Sequence, residues 1–263
     1  MFFGEGETVS SVYTEEEKLL IKKAEDKQRY CYLKGVSSYT GFLNEREQDI
    51  LMREIKECQG VRMVYYGGYS DSERRILVFL AEYDEIEYDP PLKAIRASYY
   101  KEYDLSHRDF LGSLMGSGIK RESIGDIIVN KDAHYADIVF KKEIEHFMLR
   151  EFITAGRATL RIDEIPLSTL DMTEKKTEII TDTVASARID AVVSSGFGMS
   201  REKASALIKS GKVFLDRRLV TDCDKQVDDG SLVNAQGMGK FRVYIPGNLS
   251  KKGRMFLRIE KYI

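Results

Sequence analysis

Between Arg188 and Leu215 the apolar residues allow one local solution. Ile189, Val192 and Val193 recur at i, i+3 and i+4, and so do Ala204, Leu207 and Ile208, the spacing that puts side chains on one helical face. Gly196 and Gly198 lie between the runs, so two short helices must meet at a bend. Ser200 is an N-cap residue just before the second run, and Glu202 sits in the first turn, where the helix dipole favours a carboxylate. Gly211 stops the helix. At about 100° per residue, Arg201, Ser205, Lys209 and Lys212 fall in one sector beside the Ala204, Leu207 and Ile208 stripe. One face is apolar and its neighbour is cationic.

Short strands follow directly: Val213 to Leu215, then Leu219-Val220 after a turn at Asp216-Arg217-Arg218, and later Ser231 to Val233. The stretch resembles the alpha-L RNA-binding motif, the small domain of ribosomal small-subunit protein four. Tyrosyl-tRNA synthetases, the ribosome-binding small heat-shock protein and several pseudouridine synthases carry the same domain. The resemblance rests on Arg188-Ile189-Asp190, Ser200-Arg201, Ala204, Leu207-Ile208, Gly211-Lys212-Val213 and Val227. The cationic sector of Arg201, Ser205, Lys209 and Lys212, with Arg188, Ser200, Lys203, Arg217 and Arg218 near it, is suited to backbone phosphates through charge and counterion release. Two departures stand out. Asp216-Arg217 replaces the family's Asn-Gly, which argues against a tight type I′ turn because that turn needs positive φ twice. Asp229-Gly230-Ser231 replaces the family's Gly-Asp before the last strand.

Charge supports this division of labour. The 263 residues carry a net charge of -2, but residues 186–263 hold 15 Lys and Arg against 8 Asp and Glu, a balance of +7, leaving -9 elsewhere. A basic tail on an acidic body is the asymmetry of a chain in which one part faces phosphate. Cys31, Cys58 and Cys223 form no CxxC pair and leave an odd count, so neither a disulfide framework nor a zinc site is expected, and a cytoplasmic, cofactor-free protein fits. The N-terminus lacks a basic n-region and a long apolar segment, and no run of about 18 apolar residues occurs, so neither export nor a membrane span is expected.

The fold class expected is α+β, in three parts. Residues 1–74 read as mainly helical: Thr14 with Glu17 and Asn44 with Glu47 are capping boxes, opening helices that run to about Leu33 and to Gly60. Val61 to Tyr66 is a strand before Gly67-Gly68, and a domain boundary is placed at 74/75. Residues 75–170 then show a strand at 76–81 followed by βαββαβ: strands at 94–100, 126–130, 137–141 and 158–163, with helices at 106–115 and 143–155. That is the split-βαβ plan of ferredoxin-like and RRM-like domains. Residues 171–263 are a connector, which could add a strand, and the alpha-L domain, closed by a hairpin of 241–245 with 255–263.

In the middle region, His107, Arg108, Lys120 and Arg121 combine a helix start with a basic turn and form a candidate second RNA contact; ordinary surface charge explains them equally well. Together with the order of parts, this stretch resembles the YlmH family of bacterial cytoplasmic proteins. The resemblance implies a non-catalytic RNA-binding protein acting on the ribosome, on rRNA or tRNA, associated with rescue of stalled large subunits carrying peptidyl-tRNA and encoded among cell-division genes; a monomer is expected. Tyr99, Tyr100 and Tyr103 lack an RNP-like string, so packing is expected of them rather than base stacking. His134 and His146 have no ligand-spaced partner, so no metal site is expected. Two alternatives stand beside RNA binding. Arg161-Ile162-Asp163 looks like the Arg-Leu-Asp of pseudouridine synthases, whose catalytic domain is far longer than this region. A protein-interaction factor for cell division is the other.

Overall fold

The computed structural model describes residues 13–85, 91–172, 177–250 and 253–262. The chain divides into two compact units, Met1–Thr173 and Glu174–Ile263.

The first unit opens with α1 (Glu15–Lys34). Its capping box forms as the sequence predicts: the Thr14 hydroxyl accepts from Glu17 N at 3.2 Å and the Glu17 carboxylate accepts from Thr14 N at 2.9 Å. Gly35 ends the helix at φ 63°. After β1 (Ser38–Tyr39), α2 (Glu45–Glu54) is capped the same way by Asn44 and Glu47. β2 (Val61–Tyr66) and β3 (Ile76–Ala81) complete an antiparallel sheet ordered β1-β3-β2. Every residue of β3 is buried. Leu77, Phe79 and Ala81 join one core with residues of α1 and α2, while Ile76, Val78 and Leu80 join another. The boundary expected at 74/75 is therefore corrected: it separates two strands paired from Val61↔Ala81 to Tyr66↔Ile76. A strand apolar on both faces shows no alternation, and its partner cannot be read from it.

The rest of the unit follows the βαββαβ plan. β4 (Leu92–Ser98), α3 (His107–Gly116), β5 (Ile124–Asn130) and β6 (Tyr135–Lys141) are followed by α4 (Glu145–Arg150), the small hairpin β7 (Thr154–Ala155) and β8 (Ala158–Thr159), and β9 (Arg161–Ile165). The sheet order β5-β6-β4-β9, antiparallel throughout, is that of a ferredoxin-like domain. One face packs on Phe110, Leu114, Met148 and Phe152 of the helical layer. The helix expected at 143–155 is shorter: a 3-10 turn at Lys142–Ile144 leads into α4, and the chain then reverses at Gly156, φ 57°, so that Leu160 N donates to Ile153 O at 2.8 Å. Ala155 and Ala158 are fully buried and pair across this hairpin.

The second unit is a six-stranded antiparallel sheet carrying a helix pair. β10 (Thr177–Val184), α5 (Ile189–Phe197), α6 (Arg201–Lys209), β11 (Val213–Leu215), β12 (Arg218–Val220), β13 (Leu232–Ala235), β14 (Gly239–Tyr244) and β15 (Met255–Tyr262) give the order β10-β15-β14-β13-β11-β12. The connector does add a strand: β10 pairs with β15 from Thr177↔Tyr262 to Val184↔Met255. The start of the connector, 173–176, and Lys251 and Lys252 between β14 and β15 lie outside the described residues, as does the N-terminal stretch 1–12.

The type I′ turn argued against on sequence is present. Asp216 (φ 48°) and Arg217 (φ 68°) both take positive φ, and Leu215 pairs with Arg218 across a two-residue loop. The Asp216 carboxylate accepts from Leu232 N and from Ser231 Oγ, each at 2.8 Å, and Asp216 N donates to Leu232 O at 2.8 Å. Contacts from β13 hold a turn that its own residues disfavour.

α5 lies against β14 through Gly196, where a Cβ would stand 2.2 Å from the ring of the fully buried Phe241. Gly196→Ala should therefore destabilise the second unit by about 1–3 kcal/mol, seen as a lower urea midpoint for its transition; an unchanged midpoint would mean that the ring moves freely.

Candidate nucleic-acid interface

The bend between α5 and α6 is built by Gly198 at φ 63°, Met199 N donating to Ser194 O at 3.0 Å and Ser194 Oγ donating to Met199 O at 2.6 Å. Ser200 caps α6, its hydroxyl accepting from Lys203 N at 3.3 Å. Ala204 and Ile208 turn into the core, which leaves Arg201, Lys203 and Lys209 exposed and Ser205 half-buried. Lys212 is exposed but not on the helical wheel: α6 ends at Lys209, and Gly211 at φ 70° redirects the chain first. Arg218 is exposed at the β11–β12 turn and Arg217 half-buried.

Arg188 and Arg201, from the start of each helix, converge on one carboxylate. Asp190 is 4% exposed. It accepts from Arg188 Nε at 3.3 Å and Nη2 at 3.1 Å, and from Arg201 Nη2 at 2.6 Å. Arg188 also pairs with Asp224. Burial pushes the Asp190 carboxyl up, but the bonds from Arg188 and Arg201 outweigh it and hold it below the ordinary carboxylate range. Sequence reading lists both arginines as phosphate contacts and misses the acid that orients them; its one signal was Asp190 two residues after Arg188 on an otherwise apolar face.

The middle-region candidates are only partly brought together. His107 and Arg108 are exposed at the first turn of α3, whose cap is Ser106 with Asp109. Lys120 is exposed, whereas Arg121 is half-buried and donates to Ile124 O at 2.6 Å and Gly125 O at 3.4 Å. Although much of its side chain meets solvent, partial desolvation at the helix start, then the Arg121 charge, hold the His107 pKa below its ordinary value. The sheet face that RRM domains offer to bases is half covered: Leu92, Ala94 and Val139 pack with Phe42 and with Ile76, Val78 and Leu80 of β3. Tyr99 is buried against Phe110, ring centroids 6.0 Å apart, as expected of a packing residue, while Tyr100 is exposed. Asp163 lies on β9, ion-paired with Arg161 at 3.1 Å. Among the described residues no group of His, Cys, Asp and Glu is placed to hold a metal ion, and no helix is long and apolar enough to cross a membrane.

Two family models match the chain. The model described as "Putative RNA-binding domain in YlmH" covers residues 86–169, and the S4 domain covers residues 187–233. A curated relative, "Ribosome-associated protein quality control protein P2" of Bacillus subtilis (strain 168), is 30% identical over 251 residues, 95% of this chain and 96% of the relative. The chain belongs to the YlmH family. A solved structure, "Cell division protein ylmH from Streptococcus pneumoniae", matches at 19% identity with a TM-score of 0.49, covering 61% of this chain and 98% of that one. Family membership assigns an RNA-binding type both to the middle domain and to the helix pair that carries the Asp190 clamp.

Asp190→Asn should cost about 2 kcal/mol at neutral pH, because two charge-assisted contacts to a buried carboxylate are weakened. The folded pKa is depressed, so this contribution is present above the ordinary carboxylate pKa and lost as pH falls through the lower folded value. Urea titrations across acid pH should show wild type and variant converging at the acid end; a constant difference would assign the cost to packing instead.

Proposed function

We propose that this chain is a non-catalytic RNA-binding protein whose C-terminal helix pair grips structured RNA, rRNA or tRNA, on the ribosome, in translation quality control at stalled large subunits. The observation that carries the reading is the Asp190 clamp. Two arginines are held by a buried carboxylate, which removes rotamer freedom before RNA arrives, and the same helix and the turn after it carry the exposed Lys203, Lys209 and Lys212. The +7 balance of residues 186–263 supplies the long-range attraction. The relative's name, which places that protein on the ribosome in quality control, supports the same setting here.

The middle domain offers a second contact through His107, Arg108, Lys120 and Arg121. A single module with few phosphate contacts binds weakly at cellular salt, and linkage in one chain raises the effective concentration of the second. The working form is a cytoplasmic monomer, and neither module performs chemistry. Asp163, the residue a pseudouridine synthase would use, is engaged with Arg161.

Lys203, Lys209 and Lys212 test the face without disturbing Asp190. Converting all three to Glu should abolish co-sedimentation of the full chain with large ribosomal subunits and leave the circular-dichroism spectrum unchanged; retained co-sedimentation would move the interface elsewhere. Asp163→Ala should complement a deletion strain fully and leave its rRNA and tRNA pseudouridines intact. A missing pseudouridine that only Asp163 restores would make the chain an enzyme.

A further inference from the structure

In the first unit, Arg74 and Arg121 share one acceptor. Arg74 Nε donates to the Ile124 carbonyl at 3.2 Å and Arg121 Nη1 donates to the same oxygen at 2.6 Å. Arg74 Nη2 is further held by Phe42 O at 2.9 Å, and Arg121 Nη1 by Gly125 O at 3.4 Å. Neither guanidinium forms an ion pair among the described residues. Arg96, also partly buried, shows the ordinary arrangement: its Nε and Nη2 each meet the Asp137 carboxylate at 2.8 Å. At Arg121, burial and the like charge of Arg74 outweigh the attraction of Asp126 and Glu47, a cost that an anion bound between the two guanidiniums would lower.

The surroundings make the pair a site. Lys23 of α1 and the exposed Lys120 line the same cleft, about 490 Å³ in volume, which is room for a phosphodiester group. Three carboxylates lie near and are largely occupied. Glu47 accepts from Asn44 N at 2.7 Å, and Asp126 accepts from Tyr69 Oη and Glu73 N at 2.7 Å and from Arg74 N at 3.0 Å. Glu122 is exposed at the rim. The cleft is also stiff: Phe42 N donates to Glu122 O at 2.7 Å, and a Cβ at Gly41 would stand 2.7 Å from the Glu122 Cβ. Burial, followed by the charge of Arg74, lowers the Arg121 pKa to about 10, and burial lowers that of Arg74.

We propose that Lys23, Arg74, Lys120 and Arg121 form a preorganised site for a phosphate group, and that in the bound protein this group is a backbone phosphate of RNA. The second half rests on the RNA-binding reading above; the first does not. The fork geometry of two fixed guanidiniums suits a tetrahedral oxyanion, and the lysines at the cleft wall add charge without fixing direction. The site extends the expected middle-domain contact to residues of the N-terminal part that sequence reading placed in another domain.

Inorganic phosphate is the probe for the full chain. At matched ionic strength it should raise the melting temperature by a few degrees over chloride. Arg74→Gln should lose the shift, and so should Lys23→Gln with Lys120→Gln, which leaves every carbonyl contact of the arginines in place. A wild-type shift no larger than that of chloride, or one that survives in the lysine double variant, overturns the site. The C-terminal Lys203, Lys209 and Lys212 to Glu variant should keep the shift, so failure here and failure of the RNA-binding face are told apart. A second arm identifies the source of the phosphate. If it belongs to RNA, the double variant lowers the slope of log affinity against log salt for an rRNA fragment by about 1–2; an unchanged slope with the melting shift lost assigns the site to free phosphate or a nucleotide and overturns the RNA half.

Discussion

A carboxylate that is 4% exposed cannot stand alone inside a domain of this size, and the C-terminal unit depends on how Asp190 is satisfied. Arg188 precedes α5 and Arg201 opens α6, so the two charges that neutralise Asp190 also tie the starts of both helices together. The bend at Gly198 sets the angle between the helices and the clamp holds it. Arg188, half-buried, and Arg201, exposed, are the side chains that keep the helix pair together, and under the proposed RNA-binding reading a phosphate would meet them already ordered.

The first unit solves a different problem. A ferredoxin-like sheet has one face for its helices and one face free, and a free apolar face must be covered. Here β3 covers half of it, with Ile76, Val78 and Leu80 packing on Leu92, Ala94 and Val139. The same burial draws residues 67–75 onto the middle sheet, where Asp126 gathers Tyr69, Glu73 and Arg74. The plan of the fold says nothing about this cover. Arg74 and Arg121 meet because the sheets meet.

Features set by short-range chemistry were legible beforehand. Both capping boxes form with the residues expected, because the donor, the acceptor and the helix start lie within four positions of one another. The α5–α6 pair and the βαββαβ order followed from period and spacing. The helix expected at 143–155 was too long because the cost of ending it early is small and the hairpin at Gly156 is a tertiary preference. The Asp216-Arg217 turn was misjudged for a related reason. Local propensity disfavours positive φ at Arg, and the three hydrogen bonds that join Asp216 to Ser231 and Leu232 come from a strand fifteen residues away.

What the chain carries in its order of residues is the inventory: an amphipathic helix pair with a cationic sector, a basic tail on an acidic body, and the succession of parts that marks the family. Tertiary structure decided which groups hold each charge in place. Arg188 and Arg201 are bound to Asp190, Asp163 to Arg161, and Arg74 and Arg121 to one shared carbonyl. Pairing of this kind is settled by distances of a few ångströms between residues up to 50 positions apart, and no pattern along a single chain encodes such distances.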